Sequence, residues 1–433
     1  MNSPVTDFPV AGTFVLRNAL HLGRPTDVFV QAGHIAAAGP ANSLDIPHDV
    51  PETDAEGLIL LPSLIDCHAH FREPGQEYKE DIASGLSAAA HGGFGAVFCM
   101  GNTKPVNDTA AVTRLMLESA RRSWPEGPRL HPVGAATVGL AGTEMAPLAE
   151  LAAAGCIAFS NDGRPVEQTE LLRRCVEYAA DLGRIVIDHC EDLSLAKGAI
   201  MNEGKTSGRL GLKGQPDVGE AVQVARDILL AEYLALPIHL AHISCRRSVE
   251  LIAWAKSRNV PVTAETCPHY LLLTEEELVG YSSNSRVNPP LRTADDAVAL
   301  RQAVKDGTID MLVTDHAPHA AHEKEVALDD APSGISGLDT ALTLTWNMVA
   351  NKTLCEADVI RLWLTNPARI FKLPANTFTS GDPADFLLFD PNQAWRADPQ
   401  SFFSKSANTP WLGRELTGRT HKHWLNGVPI AQI

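Results

Sequence analysis

A chain of 433 residues, 45% hydrophobic and 20% charged, has the composition of an ordinary soluble globular protein and is too long for one small core. Its net charge of −16, from 36 basic and 52 acidic residues, argues against nucleic acid or an anionic membrane surface as the main partner. No apolar run approaches the ~20 residues of a membrane span. Met1-Asn2-Ser3-Pro4-Val5 lacks the marks of a secretory signal, and eight scattered cysteines without a C-x-x-C pair suit a reducing cytoplasm.

Residues 1–55 read as short strands, such as Thr13-Phe14-Val15-Leu16 and Asp27-Val28-Phe29-Val30, separated by Gly, Pro and Asn turns. Residues 56–372 then alternate β-rich apolar runs with amphipathic helical stretches. The first run, Leu58-Ile59-Leu60-Leu61, closes on Ile65-Asp66-Cys67-His68-Ala69-His70. Further candidate strands end near Asn102, near Ala136, at Asp162, at His189, near His242, near Cys267 and at Asp315. Helices are expected between them, including Lys79–His91, Val112–Trp124, Val166–Leu182, Glu220–Ala235 and Ser248–Arg258. This succession predicts a (β/α)8 TIM-like barrel, with its working face at the C-terminal ends of the strands. Residues 373–433 return to β texture, as in Ala384–Asp390 and His423–Val428. Both chain ends together therefore read as one small discontinuous β-sandwich domain.

The strand ends carry the chemistry. In an extended strand His68 and His70 point to the same side, their Cα atoms roughly 6.6 Å apart, a spacing that lets two imidazoles grip one ion. Four histidines and two aspartates converge on one predicted mouth: His68, His70, Asp162, His189, His242 and Asp315. Imidazole and carboxylate suit Zn2+, and six ligands suffice for one or two ions, with two favoured. His21, His34, His48, His421 and His423 lie in the terminal pieces. His91, His131, His239 and His322 read as structural or solvated, and His269, at the seventh strand end, as a neighbour of the ligands. A second set suits a carboxylate. Arg72 follows His70 by two residues and offers a planar fork of donors, Asn102 and Asn288 add neutral amide contacts, and His319, four residues beyond Asp315, completes the set. The alternative for Arg72 is an ordinary ion pair with Glu73.

His68-Ala69-His70-Phe71-Arg72-Glu73-Pro74-Gly75, Lys79-Glu80-Asp81-Ile82, Ser84-Gly85, Gly92-Gly93-Phe94 and Asn102-Thr103 resemble dihydroorotase of the amidohydrolase superfamily. The likeness continues through His189-Cys190-Glu191-Asp192, His242-Ile243-Ser244, Asn288-Pro289-Pro290-Leu291-Arg292, Asp315-His316-Ala317-Pro318-His319, Ala331–Leu338 and, weakly, Asn408-Thr409-Pro410. It implies a zinc enzyme that interconverts (S)-dihydroorotate and N-carbamoyl-L-aspartate in pyrimidine synthesis. His68, His70 and Asp315 are carried to one zinc and His189 and His242 to the other, with Asp162 between the ions or on one of them. Asp315 is also the expected proton carrier. The resemblance assigns substrate contacts to His70, Arg72, Asn102, Asn288 and His319, and backbone contacts near Ser333-Gly334. Gly101, Ser63, Asn161 and Cys245 depart from the usual residues, but none is a ligand. Hydantoinases and allantoinases share the barrel, yet usually bridge their metals with a carboxylated lysine, where this chain has Asp162. A non-catalytic relative that scaffolds aspartate transcarbamoylase is the other alternative. A homodimer, and association with that transcarbamoylase, are the expected assemblies.

Overall fold

A computed structural model describes residues 12–433, so the reading of Met1–Val5 lies outside the described residues. Eight parallel strands are hydrogen-bonded in chain order: β1 (Leu64–Ala69), β2 (Phe94–Cys99), β3 (Arg129–Ala135), β4 (Ala158–Ser160), β5 (Val186–Asp188), β6 (Ile238–Leu240), β7 (Val262–Thr266) and β8 (Met311–Leu312). Every residue of β1 and β2 is buried, as expected of parallel strands covered on both faces. The eight strand ends expected from the sequence are the eight observed, and the five expected helices fall where the pattern put them. The helix Ile82–Gly92, for example, starts at an Asp81–Ser84 capping box and stops at Gly93, whose φ of +91° suits glycine.

The ring closes at a seam between β1 and β8. There the ladder shrinks to one bridge, Ala69 to His316, with His70 N–H donating to His316 O at 2.8 Å. A buried carboxylate supplements it: Asp66 accepts from the backbone N–H of Thr314 at 2.9 Å and from its hydroxyl at 2.5 Å.

The two chain ends form the second body, one eight-stranded sheet folded over its own core of Leu16, Val28, Ile35, Phe386 and Trp424. Its strand Ile59–Pro62 comes from the start of the middle region and pairs with the C-terminal strand Phe386–Arg396. The apolar run from Leu58 to His70 is therefore two strands rather than one. Pro62 ends the first, and Ser63 ties the break to the end sheet, its N–H on Asp385 O and its hydroxyl 2.7 Å from His423 Nε2. Asn426-Gly427, with φ of +48° and +69°, is a two-residue turn between Glu415–Leu425 and Val428–Gln432, so His423–Val428 is a hairpin corner.

Candidate active site

All six predicted ligands are buried, and their polar atoms meet above the C-terminal ends of the barrel strands. Asp162 is the hub. Its Oδ1 lies 3.4 Å from His68 Nε2 and 3.3 Å from both His189 Nδ1 and His242 Nε2, while its Oδ2 lies 3.5 Å from His70 Nε2. Two potential ligand groups result, His68–His70–Asp162 and Asp162–His189–His242, sharing one carboxylate. Asp315 Oδ1 lies 3.1 Å from His70 Nε2 and 3.7 Å from His68 Nε2, at the edge of the first group. Arg72, His242 and Asp315 hold φ of +60°, +32° and +45°. For residues with side chains that conformation costs about 1–3 kcal/mol each and concentrates at functional sites.

The electrostatics fit a divalent ion. Burial alone would favour neutral forms, yet Asp162 and Glu265 raise His68 well above the usual imidazole range, and Asp162 and Glu191 raise His189 to about 10. Burial likewise opposes the charge on Asp315, but His70 and His68 bring it down to about 2. Carboxylates that hold protons this firmly on His68 and His189 offer the same sites to a cation, which displaces them, while burial lowers His70 and favours the neutral ring a metal ligand needs. His68 Nε2 is buried without a hydrogen-bond partner, and the donor set of imidazole nitrogen and carboxylate oxygen fits Zn2+.

The surrounding hydrogen bonds fix which ring nitrogen faces the cluster. His70 donates Nδ1–H to Asn102 Oδ1 at 2.9 Å, leaving Nε2 inward. Glu191 Oε2 lies 3.4 Å from His189 Nε2 and is itself held by Gln215. Glu265, fully buried on β7, accepts from His68 Nδ1 at 2.7 Å and from His239 Nε2 at 3.0 Å; His239 in turn meets the Thr263 hydroxyl at 2.7 Å. This chain escaped sequence reading, because Glu265 and His239 sit inside strands, where polar residues read as structural. His239 is structural, but its task is to hold the glutamate that orients His68. Glu265→Gln should leave the fold intact and weaken binding of an added divalent metal by about 10–100-fold, the usual worth of such an outer partner, measurable by chelator competition.

A cavity of about 210 Å³ opens over the cluster. Its lining includes all seven predicted substrate contacts, namely His70, Arg72, Asn102, Asn288, His319, Ser333 and Gly334, together with Asp162, His189, His242 and Asp315. Arg72 is not paired with Glu73, which accepts instead from Ile82 N–H and the Ser119 hydroxyl. Its guanidinium donates Nε–H to Pro318 O at 3.2 Å, and among the described residues it forms no ion pair. Burial, reinforced by Arg72, Lys324 and Lys79, brings His319 down to about 2, so it is a neutral ring donating Nε2–H to Ser333 O at 3.0 Å. Asn408 joins the cavity loops, accepting from His319 N–H and donating to Ala317 O and Gly334 O. Gly334 has φ of +147°, and a Cβ there would stand 2.6 Å from Ala317 O. His269 is buried beside Cys267 and Asp315 but does not line the cavity. The four departures are accommodated. Gly101 packs against β3, where a Cβ would lie 3.0 Å from Val133 O, so packing restrains the loop carrying Asn102. Asn161 binds Thr137, and Cys245 lies against Ser248.

Comparison with known proteins gives a consistent picture. Residues 57–248 match the family described as "Dihydro-orotase-like". The chain is 45% identical over 421 residues to the dihydroorotase of Syntrophus aciditrophicus, covering 97% of this chain and 98% of that one. It is 45% identical to the dihydroorotase of Geotalea daltonii, covering 94% and 95%. Among solved structures, the L-hydantoinase of Arthrobacter aurescens superimposes with a TM-score of 0.86, at 22% identity, over 97% of this chain and 96% of that one. At that identity the likeness speaks for the fold alone.

Proposed function

Since the chain belongs to the dihydroorotase family of cyclic amidohydrolases, we propose that it interconverts (S)-dihydroorotate and N-carbamoyl-L-aspartate at the cavity above Asp162. The observation that carries this reading is a half-buried guanidinium without a carboxylate partner among the described residues, on the wall of a cavity whose floor is two groups of candidate metal ligands. His68, His70, Asp162, His189, His242 and Asp315 would hold the metal, proposed as two Zn2+ ions. When bound, the ions activate water and polarise the carbonyl that it attacks. The chain's own residues do the rest. Arg72 binds the substrate carboxylate, with Asn102, Asn288 and neutral His319 fixing the ring and the backbone at Ser333 and Gly334 closing one side. Asp315 takes the proton released as water adds to the ring carbonyl, and returns it to the amide nitrogen as the C–N bond breaks. The reverse direction runs the same transfers backwards.

Asp162 is the residue common to both candidate ligand groups, and it supports the dihydroorotase reading over that of an enzyme bridging its metals with a carboxylated lysine. A non-catalytic scaffold is disfavoured by six converging ligands. The proposed setting is the cytoplasm, which eight free cysteines support; no helix among the described residues is long and apolar enough to cross a membrane. A second copy of the chain, or an aspartate transcarbamoylase subunit, is the proposed assembly partner. The deciding assay offers the zinc-loaded protein dihydroorotate, hydantoin, dihydrouracil and allantoin. Preference for a substrate without a carboxylate would reassign the enzyme.

Arg72→Lys tests the carboxylate contact alone. Lysine keeps the charge but loses the planar fork, so one charge-assisted hydrogen bond is lost, about 1.5–3 kcal/mol or about 10–150-fold in kcat/KM. Metal content should not change. Full activity of this variant on dihydroorotate would refute the contact.

A further inference from the structure

Behind the cavity wall at Asp315 lies a third group of ligand-type side chains. Cys267, His269 and Asp315 are buried, and one ligand atom of each lies within 4.8 Å of the others. Cys267 follows the end of β7 and caps the short helix Pro268–Leu272, which carries His269 in its first turn, beside Asp315 at the end of β8. Two features point to a ligand. His269 Nε2 is buried without a hydrogen-bond partner among the described residues. Asp315 meets His70 and His68 through Oδ1, at 3.1 Å and 3.7 Å, which leaves Oδ2 for a second ion. Cys190 lies in a comparable group with Asp188 and Asp227, but there Arg226 pairs with both carboxylates at 2.8 Å and supplies the positive charge. Asp315 has only imidazoles as ion-pair partners among the described residues.

We propose that Cys267, His269 and Asp315 form a third metal site, which takes a thiophilic divalent ion such as Cd2+ or surplus Zn2+ and inhibits turnover by engaging Asp315. The inhibition rests on the reading of Asp315 as the proton carrier; the site itself does not. Softness separates this group from the two around Asp162. Those offer only imidazole nitrogen and carboxylate oxygen, whereas Cys267 adds a sulfur that favours softer ions. Three ligands and one water complete a tetrahedral ion, for which the ligand atoms must close to ~3.5 Å, a shift on the order of 1 Å. Burial beside Asp315 and Glu265 pushes the Cys267 thiol well up, so an arriving ion must displace its proton to solvent. That cost makes the site fill after the main cluster, when metal is in excess. The ion enters from the cavity, which Asp315 lines. Held there, it occupies the carboxylate that takes the proton from water and returns it to the amide nitrogen. Arg72, Asn102 and Asn288 are untouched, so kcat should fall while KM holds.

The test adds Cd2+ to the zinc-loaded full chain carrying Cys355→Ser, which removes the exposed thiol 3.1 Å from Asp358 Oδ2. Two readouts are followed together. One is thiolate-to-cadmium charge-transfer absorption in the ultraviolet, which the groups around Asp162 cannot give because none of their ligands is sulfur. The other is turnover of dihydroorotate. The absorption should saturate at one Cd2+ per chain as kcat falls. Cys267→Ser, with Cys267→Ala as the second variant should serine disturb folding, should abolish the absorption. It should also raise the inhibitory Cd2+ concentration at least ~10-fold, while zinc content and activity without Cd2+ stay unchanged. Absorption that is missing from the parent, or that persists without Cys267, overturns the site. Absorption that depends on Cys267, with inhibition that does not, overturns the link to Asp315. Absorption that depends on Cys267 in a protein inactive on dihydroorotate would sink the proposed reaction and leave the metal site standing.

Discussion

Asparagine in place of Asp162 is expected to strip metal from both halves of the cluster at once. Its two oxygens are the only atoms common to both ligand groups, lying 3.3–3.5 Å from four imidazoles. Asparagine keeps the shape but offers a neutral oxygen on one side and an N–H donor on the other, which turns a lone pair into a proton aimed at an imidazole. Charge is lost along with geometry. Asp162 helps raise His68 and His189, so without it each half loses part of the negative potential that attracts a cation, leaving Glu265 beside His68 and Glu191 beside His189. The loss should exceed the ~10–100-fold typical of an outer hydrogen-bond partner, because a shared direct ligand is removed. Elemental analysis after dialysis against a weak chelator is the measurement, with His68→Ala and His189→Ala as variants that each disturb one half. Two ions per chain retained by Asp162→Asn would mean that the halves are not joined through this residue.

Asp315→Asn should separate metal binding from chemistry. His68, His70 and Asp162 remain as a complete three-ligand group, so much of the metal should stay. What disappears is, among the described residues, the only carboxylate on the cavity wall besides Asp162. Removing a positioned proton carrier costs about 10²–10⁴-fold in turnover. Measured at saturating dihydroorotate and normalised to metal content, kcat should fall within that range while KM moves little. A normalised kcat near that of the wild type would assign the proton transfer elsewhere.

The contrast between these residues and Glu265 marks how far the sequence could be read. His68, His70, Asp162, His189, His242 and Asp315 each follow an apolar strand core, and the end of a barrel strand is where side chains leave the packed interior for the mouth. Alternation along β1 aims His68 and His70 to one side, and position just past a strand end brings in the other four. Glu265 and His239 lie within strands, where the same alternation says only that they point inward, and their meeting depends on register between β6 and β7, which no local pattern encodes. Asn408 is further still, since it reaches the cavity from beyond the barrel to bind Ala317 and Gly334. The break at Ser63 was hidden for a related reason. Leu58–Leu61 and Ile65–Ala69 both read as buried strand, and the partner strand Phe386–Arg396 decides that the first belongs to the other sheet.

The seam has a kinetic consequence. His68 and His70 stand at the end of the barrel's first strand and Asp315 at the end of its last, 245 residues along the chain from His70. Contacts of such sequence separation form late, after the intervening hairpins of strand and helix have condensed. A nascent chain therefore has all four imidazoles in place before it owns the aspartate that completes them, and the thin Ala69–His316 bridge is the last stitch. Metal captured at this centre would clasp the two ends of the barrel together, so that the ion serves as a latch on the closed ring as well as a reagent. Unfolding started by chelation should accordingly open the ring between β8 and β1 first.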